Sequence, residues 1–368
     1  MQCGRNGKQV SEVRERRGSM ARALMAAMMG LAMTGCSTLG YYAHLAQGEL
    51  GVLRARRPIP QVIADPTTPP ALRARLELAL RARAFASTTL GLPRNRSYTT
   101  YADIHRPYVM WNVFATPALS LQPVEHCFPI AGCVAYQGFY HHDRAEALAD
   151  RLAKRGDDVW VGGVPAYSTL GHFADPLLST MNHWSDDEMI GTIFHELAHQ
   201  EVYVKGDTAF NESFATFVQR EGLRQWHADN HLPPPDPAVA ERQKQFTELV
   251  LATRDKLQAL YASNAPDPEK RAGKAQAFAG LRREYEHLRD TAWPGSRDYQ
   301  RWFDGPPNNA KLVPFGLYDR GVPEFAALFE RCGRNWARFY AAVRKLGGEP
   351  AKQRDAFLTR ASATSGGA

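Results

Sequence analysis

Apolar positions recur at helical spacing through most of the second half of the chain. Met189, Ile190, Ile193, Phe194, Leu197 and Ala198 form one stripe at a period of about 3.6 residues. Ser185-Asp186-Asp187-Glu188 reads as a capping box at the start of that helix. Lys205-Gly206-Asp207 predicts a stop, a turn and a new cap. The next helix then runs from Thr208 to about His227, with Phe210, Phe214, Phe217 and Trp226 on its core side. Residues 236–262 and 267–292 predict a helical hairpin in which Phe246, Leu249, Leu257 and Leu260 answer Phe278, Leu281, Tyr285 and Leu288. A last helix is expected over 322–346, followed by a tail, 347–368, whose end at 361–368 has the composition of a disordered segment. Upstream, one helix ends near Leu53 before Pro58 and Pro60, and another spans 69–88. Between them and the central helix the pattern turns aromatic and β-branched. Strands are expected within 97–113, from Val134 to Tyr140 and from Val159, with a crossover helix over 144–155 capped by Asp143. The sum is an α+β fold, mainly helical, with a small mixed sheet before the central helix and a long helical hairpin after it.

Composition changes the picture only at the N-terminus. The chain has 368 residues, 44% hydrophobic and 23% charged, ordinary for a globular protein. Its start is not ordinary. Arg14, Arg16, Arg17 and Arg22 precede an apolar run from Ala23 to Met33, too short to span a bilayer comfortably, and Met33-Thr34-Gly35-Cys36 follows. That order describes a secretory signal over 1–35 ending at a lipobox, with Cys36 as the lipidated residue; translation starts at Met1 or at Met20. Ser37 is not the aspartate associated with inner-membrane retention, so the expectation is a lipid anchor in the bacterial envelope, at the outer membrane facing the periplasm. Residues 1–35 carry six basic and two acidic side chains, which leaves +3 of the whole-chain +7 for the rest. With no basic patch interleaved with aromatics, nucleic acid is not an expected partner. In an oxidising compartment Cys127 and Cys133 can form a disulfide, the alternative being two buried thiols.

The candidate chemistry lies on the central helix. His195-Glu196-Leu197-Ala198-His199 places two imidazoles four residues apart on one face, roughly opposite the apolar stripe. Both rings can close on one Zn²⁺, and Glu212, early in the following helix, can be brought back as the third ligand. Three protein ligands leave a position for water, whose pKa zinc lowers from about 15.7 toward about 7. Glu196 cannot reach the ion while its neighbours do, and is placed to act as general base. One zinc per chain, peptide-bond hydrolysis and a peptide substrate follow.

Phe194-His195-Glu196-Leu197-Ala198-His199-Gln200 with Phe210-Asn211-Glu212-Ser213-Phe214-Ala215 resembles the gluzincin metallopeptidases, above all zinc aminopeptidases. Across residues 36–346 the chain resembles the bacterial family of putative aminopeptidases, with Gly40-Tyr41-Tyr42, Cys127–Cys133, Tyr167–Gly171, Asn308-Asn309-Ala310 and Val322-Pro323 as supporting segments. The resemblance implies a single zincin-like domain over 36–346: a sheet-containing part at about 90–180, the zinc helices at about 185–230, the hairpin at 236–292 and the last helix. It implies metal ligands His195, His199 and Glu212 and general base Glu196. The gap of twelve residues before Glu212 is shorter than in the large aminopeptidases, and no equivalent of their amine-gripping glutamate motif is evident. In such folds an edge strand pairs with the substrate backbone; Tyr167, Ser168, Thr169 and Leu170 are the candidate, against a plain loop. A tyrosine that steadies the oxyanion is sought at Tyr318, against a packed core tyrosine. His126, His141, His142, His172, His183 and His227 are read as structural or exposed. An amino-terminal peptidase of short peptides is the first reading. A non-catalytic zinc-containing envelope lipoprotein, serving as scaffold or binding module, and an envelope endopeptidase remain alternatives.

Overall fold

The computed structural model describes residues 40–128, 132–315 and 321–359. The leader, Cys36 and Tyr318 lie outside the described residues. The fold is α+β and mainly helical. Helix α1 (40–54) leads to β1 (Arg56–Pro58), α2 (Ile59–Ala64), α3 (Pro70–Thr88), β2 (Thr100–Ala102) and β3 (Met110–Pro117). Then come β4 (His126–Phe128), β5 (Gly132–Val134), β6 (Tyr136–Phe139), α4 (His142–Lys154), β7 (Asp157–Val164) and β8 (Leu177–Leu178). The helical half comprises α5 (Asp186–Glu201), α6 (Thr208–Asp229), α7 (Pro237–Ala262), α8 (Asp267–Thr291), α9 (Val322–Arg331), α10 (Trp336–Gly347) and α11 (Ala351–Leu358).

The strands do not form one sheet, as the sequence pattern suggested. β1-β2-β8 is a mixed sheet, β6-β3-β7 is antiparallel, and β4-β5 is a hairpin. β2 and β3 are parted by a stretch holding Pro107, which has no N–H to offer a ladder. β6 and β7 flank β3, so α4 crosses over that strand and buries Ala145, Leu148, Ala149 and Leu152 against it. α4 begins one residue before the expected cap. His141 holds the cap position with no side-chain bond, and Asp143 sits in the first turn, where its charge suits the helix dipole. Cys127 and Cys133 are bonded across the β4–β5 hairpin.

The main core gathers α3, α5, α6, α9, α10 and α11 around Phe194, Phe210, Phe214 and Phe325. Gly222 of α6 permits the close approach of α5 and of the turn after α3: a Cβ there would lie 2.8 Å from both Phe194 and Leu90. The α7–α8 hairpin buries Phe246, Leu257, Phe278, Leu281 and Tyr285 in a second core. It is tied to the antiparallel sheet by Lys274, which pairs with Asp158 at 2.6 Å.

Two differences concern the C-terminus. The single helix expected over 322–346 is broken into α9 and α10, because Gly333 and Arg334 take left-handed backbone conformations (φ 68° and 54°) and Asn335 caps a fresh helix. The segment beyond 346 continues into α11, whose Phe357 and Leu358 are buried. Arg354 of α11 pairs with Asp207 at 2.6 Å, and Asp207 caps α6 by accepting from the Phe210 N–H at 3.1 Å. The C-terminal helix therefore braces the start of the helix that carries Glu212.

Candidate metal centre

α5 starts at a reciprocal capping box between Ser185 and Glu188, which fixes its register. Its apolar stripe is fully buried, from Met189 through Ile190, Ile193, Phe194 and Leu197 to Ala198. The opposite face then presents His195 and His199 to the start of α6. The tight connection through Gly206, left-handed at φ 78°, folds α6 back along α5. Asn211 holds this connection closed: its amide donates to the Val204 carbonyl at 2.8 Å and its carbonyl accepts from the Val204 N–H at 2.8 Å.

Three ligand atoms converge as a result. His195 Nε2 lies 3.1 Å from His199 Nε2, and Glu212 Oε2 lies 3.3 Å from the first and 3.7 Å from the second. An ion held tetrahedrally by nitrogen at about 2.0–2.1 Å has ligand–ligand edges of about 3.3 Å. The triangle fits such an ion. The proton inventory agrees. His195 Nδ1 faces the Gln219 carbonyl oxygen at 3.1 Å, so that nitrogen carries the hydrogen and Nε2 offers its lone pair inward. Burial disfavours a charged His195, but the Glu212 carboxylate, Glu196 and Gln219 outweigh it and raise its proton affinity. Burial likewise works against Glu212 ionising, yet the two imidazoles hold its carboxyl down to about 2. The pocket is built for positive charge beside a carboxylate. A second cluster, Glu125 with Cys127 and Cys133, is exposed, and its sulfurs are committed to the disulfide.

Glu196 is half-buried beside the centre and contributes no atom to the triangle. Its charge reaches Tyr98 and Asp175. Tyr98 is buried, holds a left-handed backbone (φ 61°) and donates its N–H to the Asp175 carbonyl at 2.6 Å. Its loop is tied to α5 where Asn95 donates to Gln200 at 2.7 Å.

Tyr167 to Leu170 form no strand; they belong to an irregular loop. The buried Asp175 carboxylate takes the Thr169 N–H at 3.1 Å and the Thr169 hydroxyl at 2.7 Å. The Leu170 N–H turns to Ser168 Oγ at 3.1 Å, and Leu170 is left-handed (φ 54°). Backbone groups spent on local side chains cannot form a ladder. The Tyr167 hydroxyl is bonded to Glu49. The loop nevertheless runs along α5, since Gly171 packs on Gln200.

Sequence reasoning missed Gln219, Asn211, Tyr136 and Tyr203. Gln219 follows Glu212 by seven residues, so both fall on one face of α6, a signal that was available. The Tyr203 ring stands edge-on to His199, centroids 6.3 Å apart. The Tyr136 hydroxyl is held above its ordinary pKa by desolvation first and then by Tyr203 and Glu212. No spacing announces a tyrosine from β6. Of the other histidines, His227 is bonded to Asp187 at 2.7 Å and to the Pro233 carbonyl, and His142 pairs with Glu146 at 3.1 Å.

A family model described as "Putative aminopeptidase" matches residues 40–358. The chain belongs to this family. Membership points to a peptidase, a hydrolase of the amide bond. The matched span runs from α1 to the end of α11, so the family's common fold includes the helix that braces α6. No curated protein and no solved structure matches the chain.

Proposed function

We propose that this chain is a zinc-dependent peptidase, an aminopeptidase of short peptides, with one Zn²⁺ held by His195, His199 and Glu212. The observation that carries the reading is the convergence of three ligand atoms on edges of 3.1, 3.3 and 3.7 Å. The donor set, two imidazoles and one carboxylate, is that of a catalytic rather than a structural zinc. When bound, the ion supplies Lewis acidity toward water and the substrate carbonyl at neutral pH. The protein's own groups do the rest. Gln219 keeps the hydrogen on His195 Nδ1 and so the lone pair on Nε2. Glu196 takes the proton of the attacking water and delivers it to the leaving amine. Anchoring through an acylated Cys36, with the domain in the envelope facing the periplasm, is part of the same reading and rests on the lipobox.

Glu196→Gln tests the reading. The variant should retain about one zinc per chain and lose peptide hydrolysis by about 10³-fold, within the 10²–10⁴ range typical of a general acid–base group. Wild-type protein with one bound zinc and no activity on free-amine or amino-blocked peptides would instead favour a scaffold. Activity confined to amino-blocked peptides would make it an endopeptidase.

A further inference from the structure

Among the described residues, the aromatic side chains exposed at the surface are Tyr136 (42%), Phe173 (48%) and Tyr203 (51%). Two of them, Tyr203 and Tyr136, adjoin the candidate metal centre, and Phe173 is carried on the loop beside it. Tyr203 lies edge-on to His199, and the Tyr136 hydroxyl is within electrostatic reach of both Tyr203 and Glu212. Phe173 is carried by the loop along α5, between Gly171, which packs on Gln200, and Asp175, which feels the charge of Glu196. Among the described residues the other aromatic rings are buried or half-buried, so rings left to water beside one centre mark a surface kept for a ligand.

The two tyrosines are also held rigidly. Tyr203 sits between Val202, buried and bonded to the Ala198 carbonyl at 3.1 Å, and Val204, clamped at both polar groups by Asn211. Tyr136 is in register with Phe114 on β3, their rings 5.4 Å apart, and follows directly on the disulfide-braced β4–β5 hairpin. Preset aromatic walls bind apolar groups with little ordering cost.

We infer that Tyr136 and Tyr203, with Phe173 at the rim, form an apolar subsite, and that the peptides taken at this centre are those presenting a large apolar or aromatic side chain beside the scissile bond. The inference rests on the peptidase reading above and adds its substrate class. It assigns the rings, not the hydroxyls, as what the substrate meets.

The test uses the full, zinc-loaded chain and tripeptides that differ only in the first residue: Phe, Leu, Ala, Lys or Asp. Phe and Leu peptides should exceed the others in kcat/KM by about tenfold, the scale of one aromatic contact with its buried area. Tyr136→Ala and Tyr203→Ala should raise KM for the Phe peptide about tenfold and leave the Ala peptide within about twofold. Tyr203→Phe should restore the wild-type KM. A flat profile, a preference for charged residues, or a fall in kcat for every peptide with Tyr203→Phe overturns the inference. Binding of the same peptides to Glu196→Gln, followed by calorimetry, separates the two readings. Tighter binding of Phe than Ala peptides supports the subsite even without turnover, whereas wild-type inactivity alongside that preference overturns only the peptidase reading. Equal binding overturns the subsite.

Discussion

Replacing Asn211 with alanine should loosen the connection on which the whole centre depends. Asn211 is 2% exposed and makes two bonds of 2.8 Å to one residue, Val204. Each is a neutral bond worth about 1 kcal/mol net, and each leaves a backbone group behind when lost. Val204 is half-buried, so water can reach part of what is exposed. The expected loss is therefore about 2–3 kcal/mol, in the range of a broken buried network rather than a surface change. That corresponds to a fall in Tm of about 3–5 °C for a chain of this size. Asn211→Asp is a sharper variant. It keeps an acceptor for the Val204 N–H but sets a carboxylate against the Val204 carbonyl, so it should destabilise at least as much. Urea titration of the metal-free chain gives the stability loss, and competition with a chromogenic chelator gives the zinc affinity. The affinity should fall in step, because Glu212 is the next residue. A loss below about 0.5 kcal/mol, the ordinary scatter of surface substitutions, would refute the clamp and with it the account of how α6 is positioned.

Gln219→Leu should weaken zinc binding about 10–100-fold by chelator competition while the circular dichroism spectrum is unchanged, since it removes only the partner that orients His195. Gly222→Val should cost about 1–3 kcal/mol in urea unfolding, because the added carbon meets Phe194 and Leu90 at 2.8 Å. His227 is disfavoured as a cation by desolvation, but the Pro233 carbonyl and Asp187 outweigh this and raise its pKa above 6.5. A raised folded value means its contribution is complete below the unfolded pKa and is lost as pH climbs through the folded one. Stability should thus decline from about pH 6.5 upward in wild type, and His227→Gln should abolish that part of the slope in denaturation run at several pH values.

Local chemistry wrote much of the molecule in advance. The capping box at Ser185, the stripe on α5, the cap at Asp207 and the α7–α8 hairpin were legible because each depends on residues within a turn or two. The candidate ligands were legible for the same reason: four residues on one helix and a twelve-residue step across one turn leave little freedom. What the pattern could not convey is which distant pieces meet. Residues 167–170 are a candidate substrate strand, against a plain loop, on resemblance alone, and the single buried carboxylate of Asp175 captures their polar groups and makes the loop. The stretch from 347 reads only as a tail, yet Phe357 and Leu358 find a core and Arg354 finds the cap of α6. Tyr136 comes to the centre from a sheet, through a strand register set by β3, and nothing near it in the chain records that destination. Helices and their faces follow from short-range propensity and periodicity, which the amino-acid order holds complete; the neighbours that surround the centre follow from long-range packing, which only the closed chain decides.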